Sequence, residues 1–128
     1  MMPNKTSIYV IIAAVYGLTA VILGALGSHA LGLEAGTKNM ALFQHALFYM
    51  MMHALLLFWL SSQLEENFWL RSAALAVTLG VLLFCGGLLL LIFWGKTSLS
   101  WLTPVGGSLI ILAWLNIVIH GFQKWRKP

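Results

Sequence analysis

Four long stretches of this 128-residue chain, residues 6–33, 39–64, 72–95 and 97–123, contain no Asp, Glu, Lys or Arg. All ten charged residues, seven basic and three acidic, lie before, between or after them. A helix needs about 20 apolar residues to cross the hydrocarbon core of a bilayer, and every stretch is longer than that. A Lys, Arg or Asp at mid-membrane costs roughly 2.5–3.5 kcal/mol on insertion scales, so exclusion of charge is what spanning segments require. The expectation is an all-α integral membrane four-helix antiparallel bundle. It forms a single membrane domain over residues 1–128, with spans at about 8–31, 40–62, 72–94 and 104–122.

The charges between the stretches set the expected orientation. With four spans both termini share a side, and that side carries Lys5, Arg71, Lys124, Arg126 and Lys127. The opposite loops carry only Lys38 and Lys96. The positive-inside rule places both termini in the cytoplasm. The basic excess is thus a membrane anchor, and no nucleic-acid partner is expected. The apolar run from Ile8 to Leu26 is longer than the usual 7–15-residue core of a signal peptide, so it reads as a retained span although Ser28-His29-Ala30 fits a cleavage pattern. Trp59, Trp69, Trp94, Trp101 and Trp125 fall near span ends, where interfacial aromatics belong. Trp114 is the exception, placed near the bilayer midplane.

Small residues recur at helical spacing inside the spans. Helix 1 carries Ala13, Gly17, Ala20, Gly24 and Gly27, a seam of period 3.5 along which another backbone can approach closely. Ala73, Ala76, Gly80 and Gly87 form a thinner seam in helix 3. Gly106, Leu109, Ala113, Asn116 and His120 form a third in helix 4. Together they point to a tight left-handed bundle. The fourth stretch opens with Thr103-Pro104-Val105-Gly106-Gly107, in which Thr103 suits a helix N-cap and Pro104 the first helical position. The paired glycines Gly106 and Gly107 then serve close packing.

The residues left for chemistry are few. Glu34, Glu65 and Glu66 all lie in connections and the chain has no aspartate, which excludes an intramembrane carboxylate for ion coupling, paired-carboxylate catalysis and a Ser-His-Asp set. The lone cysteine, Cys85, allows no intramolecular disulfide. On helix 2, His45, Tyr49 and His53 recur every fourth residue and share one broad face beside Gln44. His29 at the end of helix 1 and Thr103 at the start of helix 4 lie on the same outer side as Gln44 and His45. The candidate ligand-binding residues are therefore His29, Gln44, His45, Tyr49, His53 and Thr103, with interhelical hydrogen bonding as their alternative role. Asn116 and His120 read as interhelical bonding groups.

Metal and cofactor readings are weaker. His45 and His53 are about 12 Å apart along one helix and cannot share a haem, which leaves His29 with His45 by depth alone. The run Met50-Met51-Met52-His53 and Cys85 are ligand types suited to copper(I), but successive helical side chains point about 100° apart and do not converge. No metal and no cofactor is expected.

Three segments in order resemble a known family. They are Gly24-Ala25-Leu26-Gly27-Ser28-His29, Tyr49 with His53-Ala54-Leu55, and Thr103-Pro104-Val105-Gly106-Gly107 with Trp114. From about Tyr16 to Gly121 the chain resembles the YgdD/YwdK-like family of small bacterial inner-membrane proteins. The resemblance implies a four-span protein of the bacterial inner (plasma) membrane, with no catalytic residues to carry over. The family's recurrent polar positions would match His29, Tyr49, His53 and Thr103. This chain departs from the pattern with Met50 where glutamine is common, and with Phe84-Cys85-Gly86-Gly87 where Phe-Ser-Gly-Ser is commoner. If the family binds something through that glutamine, this member binds it differently or not at all.

The expected role is a non-enzymatic bundle in the lipid bilayer that binds a lipid-like ligand or a membrane partner, either a second copy or another membrane protein. A small oligomeric transporter is the alternative, with the polar face of helix 2 lining its path. A redox or quinone-binding subunit ranks third.

Overall fold

The structure, a computed structural model, describes residues 4–27, 29–65, 67–95 and 97–127. Ser28 of the cleavage pattern and of the family-like segment, and Glu66 and Lys96 of the charge pattern, lie outside the described residues. Four helices follow one another: α1 (Lys5–Gly27), α2 (Lys38–Ser61), α3 (Phe68–Trp94) and α4 (Leu102–Arg126), with a short 3₁₀ turn at Thr97–Leu99 before α4. Each of the four is long and apolar enough to cross a bilayer. The described residues contain no strand. Helices are the form this composition demands, because in hydrocarbon every backbone N–H and C=O must find its partner within the segment.

Local chemistry sets the helix ends. The Asn4 side chain accepts from Ser7 N at 2.7 Å and opens α1. Thr37 caps α2 by accepting from Met40 N, while its own hydroxyl donates to the Glu34 carbonyl. Asn67 caps α3 by accepting from Leu70 N at 3.1 Å. These are the side chains that best satisfy the orphan N–H groups of a first turn. At the far end of α3, Gly95 adopts φ +61° and returns its N–H to the Leu91 carbonyl, a left-handed cap that glycine accepts without strain.

Most helix boundaries differ from the sequence expectation by up to four residues, α3 starting at Phe68 and α4 ending at Arg126, and two of the differences move candidate residues. The helix α1 ends at Gly27 rather than near residue 31, so His29 sits in the following turn, where its N–H bonds to the Leu26 carbonyl. The helix α4 starts at Leu102, with Trp101 in the N-cap position and no side-chain cap bond. Thr103 is therefore inside the first turn and is not the cap. The 3₁₀ turn winds directly into α4, and Thr103 is used instead against α3. Pro104 still lies in the first turn, where a missing N–H breaks no helical bond.

The helices pack in chain order, α1 on α2, α2 on α3 and α3 on α4, with no extended contact between α1 and α4. About twice as much of α2 and α3 is buried as of α1 and α4. The core runs along the two middle helices through Ala46, Leu57 and Leu60 of α2 and Leu70, Ala73 and Val77 of α3, with Ala13 and Ala113 contributed from the flanks. The outward faces are apolar, as lipid contact requires. Ile11, Val15, Leu18 and Ile22 recur at helical spacing on the exposed side of α1, and Ile111, Leu115, Val118 and Phe122 on that of α4.

The seams lie at the helix contacts. Ala13, Ala20 and Gly27 of α1 are buried, and Gly27 accommodates the ring of Phe43 from α2. Gly17 and Gly24 meet α2 less tightly, near Ala54 and Leu47. The α3–α4 crossing is much closer. Gly80 and Gly87 of α3 and Gly106 of α4 are all buried, and each faces backbone of the other helix. In the absence of a hydrophobic driving force between helices, such approach lets dispersion and weak polar contacts hold the pair together.

Candidate functional site

Among the described residues, two places stand out as candidate sites. The first is a polar knot near mid-membrane. His53 of α2 is 1% exposed, yet both ring nitrogens are used. Its Nδ1–H donates to the Tyr49 carbonyl one turn back at 2.8 Å, and its Nε2 accepts from Trp114 Nε1–H of α4 at 3.1 Å. Those two bonds select the neutral tautomer with the proton on Nδ1. The Tyr49 ring stacks on the imidazole, with centroids 5.8 Å apart and planes 13° apart, and meets Phe84 of α3 edge-on at 5.0 Å. Trp114 crosses the imidazole at 76° with centroids 6.0 Å apart. Three helices thus contribute to one aromatic cluster, in which His53 is buried while Tyr49 and Trp114 each keep an exposed face, and the bond to His53 gives Trp114 a partner away from the interfaces.

The remaining candidate residues do not join His53. His29 is exposed in the turn after α1. Gln44 and His45 are both exposed on α2, where they share a shallow depression with Ala41 and Phe48. Thr103 packs into α3, so that a β-carbon added to Gly87 would fall 2.5 Å from its hydroxyl. Among the described residues, the histidine side chains with hydrogen bonds are His53 and His120. His120 accepts at Nδ1 from the Asn67 side chain at 2.6 Å and so ties the end of α4 to the cap of α3. Asn116, beside it on the helix 4 seam, is half-buried.

The positions that depart from the family-like pattern are interior. Met50 is 5% exposed in the core, whereas Met51 is half-buried and Met52 is exposed, so the methionine run does point in different directions. Cys85 is buried and donates its Sγ–H to the Ala46 carbonyl at 3.2 Å, tying α3 to α2.

The second place is a cleft of about 490 Å³ between the amino-terminal halves of α1 and α3, on the side that carries both chain termini. Ile8 and Ile12 line it from α1, Leu75 and Thr78 from α3, and Lys5 and Arg71 stand at its entrance. It adjoins a more polar mouth of about 410 Å³ lined by Asn4, Lys5, Thr6, Leu64, Glu65 and Arg71. Arg71 is held in place by a bond from Nη1 to the Leu64 carbonyl at 3.2 Å. At the inner end, Tyr16 of α1 donates its hydroxyl to the Thr78 carbonyl at 2.6 Å and draws the two helices together. At 1.5 Å per residue, the distance from Arg71 to Thr78 is about 10 Å, most of the roughly 15 Å hydrocarbon depth of one leaflet.

Sequence reasoning missed this cleft because Lys5 and Arg71 served there only as orientation charges. It also left Trp114 without a partner, although a tryptophan away from the interface was itself the signal that an indole N–H needed one.

Residues 23–107 match the family model described as Protein of unknown function (DUF423). The chain is 30% identical to a UPF0382 membrane protein of Haemophilus influenzae over 96% of its own length and 98% of the relative's. It is 32% identical to the UPF0382 membrane protein YwdK of Bacillus subtilis over 88% of this chain and 94% of that one. The UPF0382 inner membrane protein YgdD of Escherichia coli K12 is 29% identical, over 91% of both chains. No solved structure matches the chain.

Proposed function

Because this chain belongs to the DUF423 family of multi-pass membrane proteins, whose relatives' names assign no activity, we propose a role from its own geometry: a non-enzymatic membrane protein that binds a lipid-like ligand between α1 and α3. The observation that supports this reading is the shape and polarity of the cleft. It has apolar walls at acyl-chain depth and two cations at headgroup depth, the pattern of a site for a single amphiphile. The helix 2 histidines support a transport path less well. His53 is enclosed with both nitrogens occupied inside the bundle, and His45 is exposed on another part of the helix surface.

Filling the cleft tests the proposal. Leu75→Trp places an indole in the cleft, whereas Leu112→Trp places one on the exposed face of α4. Phospholipid retained through detergent purification and counted by native mass spectrometry is expected to be lost from Leu75→Trp and kept by Leu112→Trp. Equal retention by both variants would remove the basis for the proposal.

The orientation belongs to the same reading, with the cleft opening to the cytoplasmic leaflet of the bacterial inner membrane. It is supported by the excess of Lys5, Arg71, Lys124, Arg126 and Lys127 on that side. A fluorescent protein fused after Pro128 is expected to fluoresce, and an alkaline phosphatase fused there to be inactive. The reverse pair of results would turn the bundle over.

A further inference from the structure

Resting on the lipid-binding reading above, we infer that the occupant of the cleft is a glycerophospholipid whose headgroup carries a primary amine, a zwitterion of the phosphatidylethanolamine type. The order of charges along the cleft leads to this. Ile8, Ile12 and Leu75 line only the inner space, where an acyl chain lies. Lys5 and Arg71 border both the inner space and the mouth, so they stand at the depth of a phosphate. Glu65 borders the mouth alone and lies three residues before α3 begins, whereas Arg71 lies in the first turn of that helix. From the acyl region outward, the protein presents apolar, then positive, then negative. An amine-bearing phospholipid presents apolar, then negative, then positive, and the two sequences match group for group.

The side-chain chemistry fits the same assignment. The bond from Arg71 Nη1 to the Leu64 carbonyl occupies one of five guanidinium N–H donors, which orients the group and leaves a fork for phosphate oxygens. Lys5 adds a point charge from the start of α1. Past the phosphate, a primary ammonium brings three N–H donors to the Glu65 carboxylate, whereas a trimethylated ammonium brings none and a glycerol headgroup brings no charge. Glu65 therefore favours the amine over both.

The test is competition among lipids with identical acyl chains. The full chain is purified in detergent and incubated with equimolar phosphatidylethanolamine, phosphatidylglycerol and phosphatidylcholine, and retained lipid is quantified by native mass spectrometry. The ethanolamine lipid is expected to exceed each of the others about threefold, the effect of an exposed ion pair. Glu65→Gln is expected to abolish that preference by lowering bound ethanolamine lipid to the level of the other two, and Arg71→Gln to reduce all three lipids together. Glycerophosphoethanolamine, the same headgroup without chains, is expected not to displace the bound lipid. Equal or greater retention of phosphatidylglycerol by the unmodified chain, or a preference unaltered in Glu65→Gln, overturns the headgroup assignment while lipid binding stands. Displacement by the chainless headgroup overturns the assignment to a lipid in favour of a soluble phosphoester. An ethanolamine preference and a lipid retention both unaltered in Leu75→Trp overturn the cleft itself.

Discussion

Gly106→Leu leaves no folded bundle, and Gly106→Ala destabilises it by about 1–3 kcal/mol or more, the cost of overpacking a closed contact. A β-carbon at Gly106 would fall against the Phe84 backbone nitrogen, 2.7 Å from the Gly80 carbonyl oxygen and 2.8 Å from Phe84 Cα. All three neighbours are backbone, so no side chain can rotate aside and the helices must separate. The contact is reciprocal, since a β-carbon at Gly80 would fall 3.0 Å from the Gly106 carbonyl oxygen and 2.9 Å from Ile110 Cγ1. Separating α3 from α4 loosens the closest helix pair in the molecule together with the Thr103 contact at Gly87.

The adjacent glycine is the internal control. At Gly107 a β-carbon would meet only the Phe84 ring, at 3.6 Å and 3.8 Å, which is ordinary contact distance. Gly107→Ala is expected to stay within about 0.5 kcal/mol of the unmodified protein, as substitutions away from tight features do. Reversible unfolding in mixed micelles of mild detergent and dodecyl sulfate measures both variants. A Gly106→Ala variant as stable as Gly107→Ala would show that the crossing is looser than described.

His53→Ala is the second large effect. It removes a side chain that is 1% exposed and leaves the Trp114 N–H without its acceptor. Trp114 is 42% exposed, but lipid offers its N–H no replacement acceptor, so the unpaired donor costs about 1–3 kcal/mol, and the vacated space adds lost dispersion contacts from Tyr49 and Trp114. Trp114→Phe retains most of the aromatic surface but leaves the buried His53 Nε2 without its donor, so it is expected to cost about 1–3 kcal/mol. The double variant should cost less than the sum, because the two residues share the bond. His45→Ala on the exposed face is expected to be neutral within about 0.5 kcal/mol. Strict additivity of His53→Ala and Trp114→Phe would mean that the bond between them contributes nothing.

Both predictions use residues that stand out in the chain, but only pairing gives them their effects. Gly106 and Gly107 are indistinguishable as a sequence pair, and both read as packing residues. Their difference lies in about 100° of rotation around α4, which turns one toward the α3 backbone and the other toward an aromatic ring. The same holds for His45 and His53. They share a broad face by spacing, yet one is exposed and the other enclosed, because α2 packs against neighbours on two sides and its buried arc is set by both. Thr103 illustrates the converse case. Its side chain suits an N-cap, but the preceding 3₁₀ turn moved the helix start and left the hydroxyl against Gly87.

What the sequence by itself determined was the number of helices, their approximate limits and the apolar character of their outer faces. Insertion into a bilayer depends on the summed transfer cost of a local window, and that sum is complete before any helix meets another. The tertiary structure decided which glycines meet backbone, that Trp114 satisfies His53, and that Lys5, Arg71 and Glu65 border one cleft. These depend on the rotation and tilt of each helix against its neighbours. In a bilayer those are set by short-range packing between residues far apart in the chain, to which no local window is sensitive.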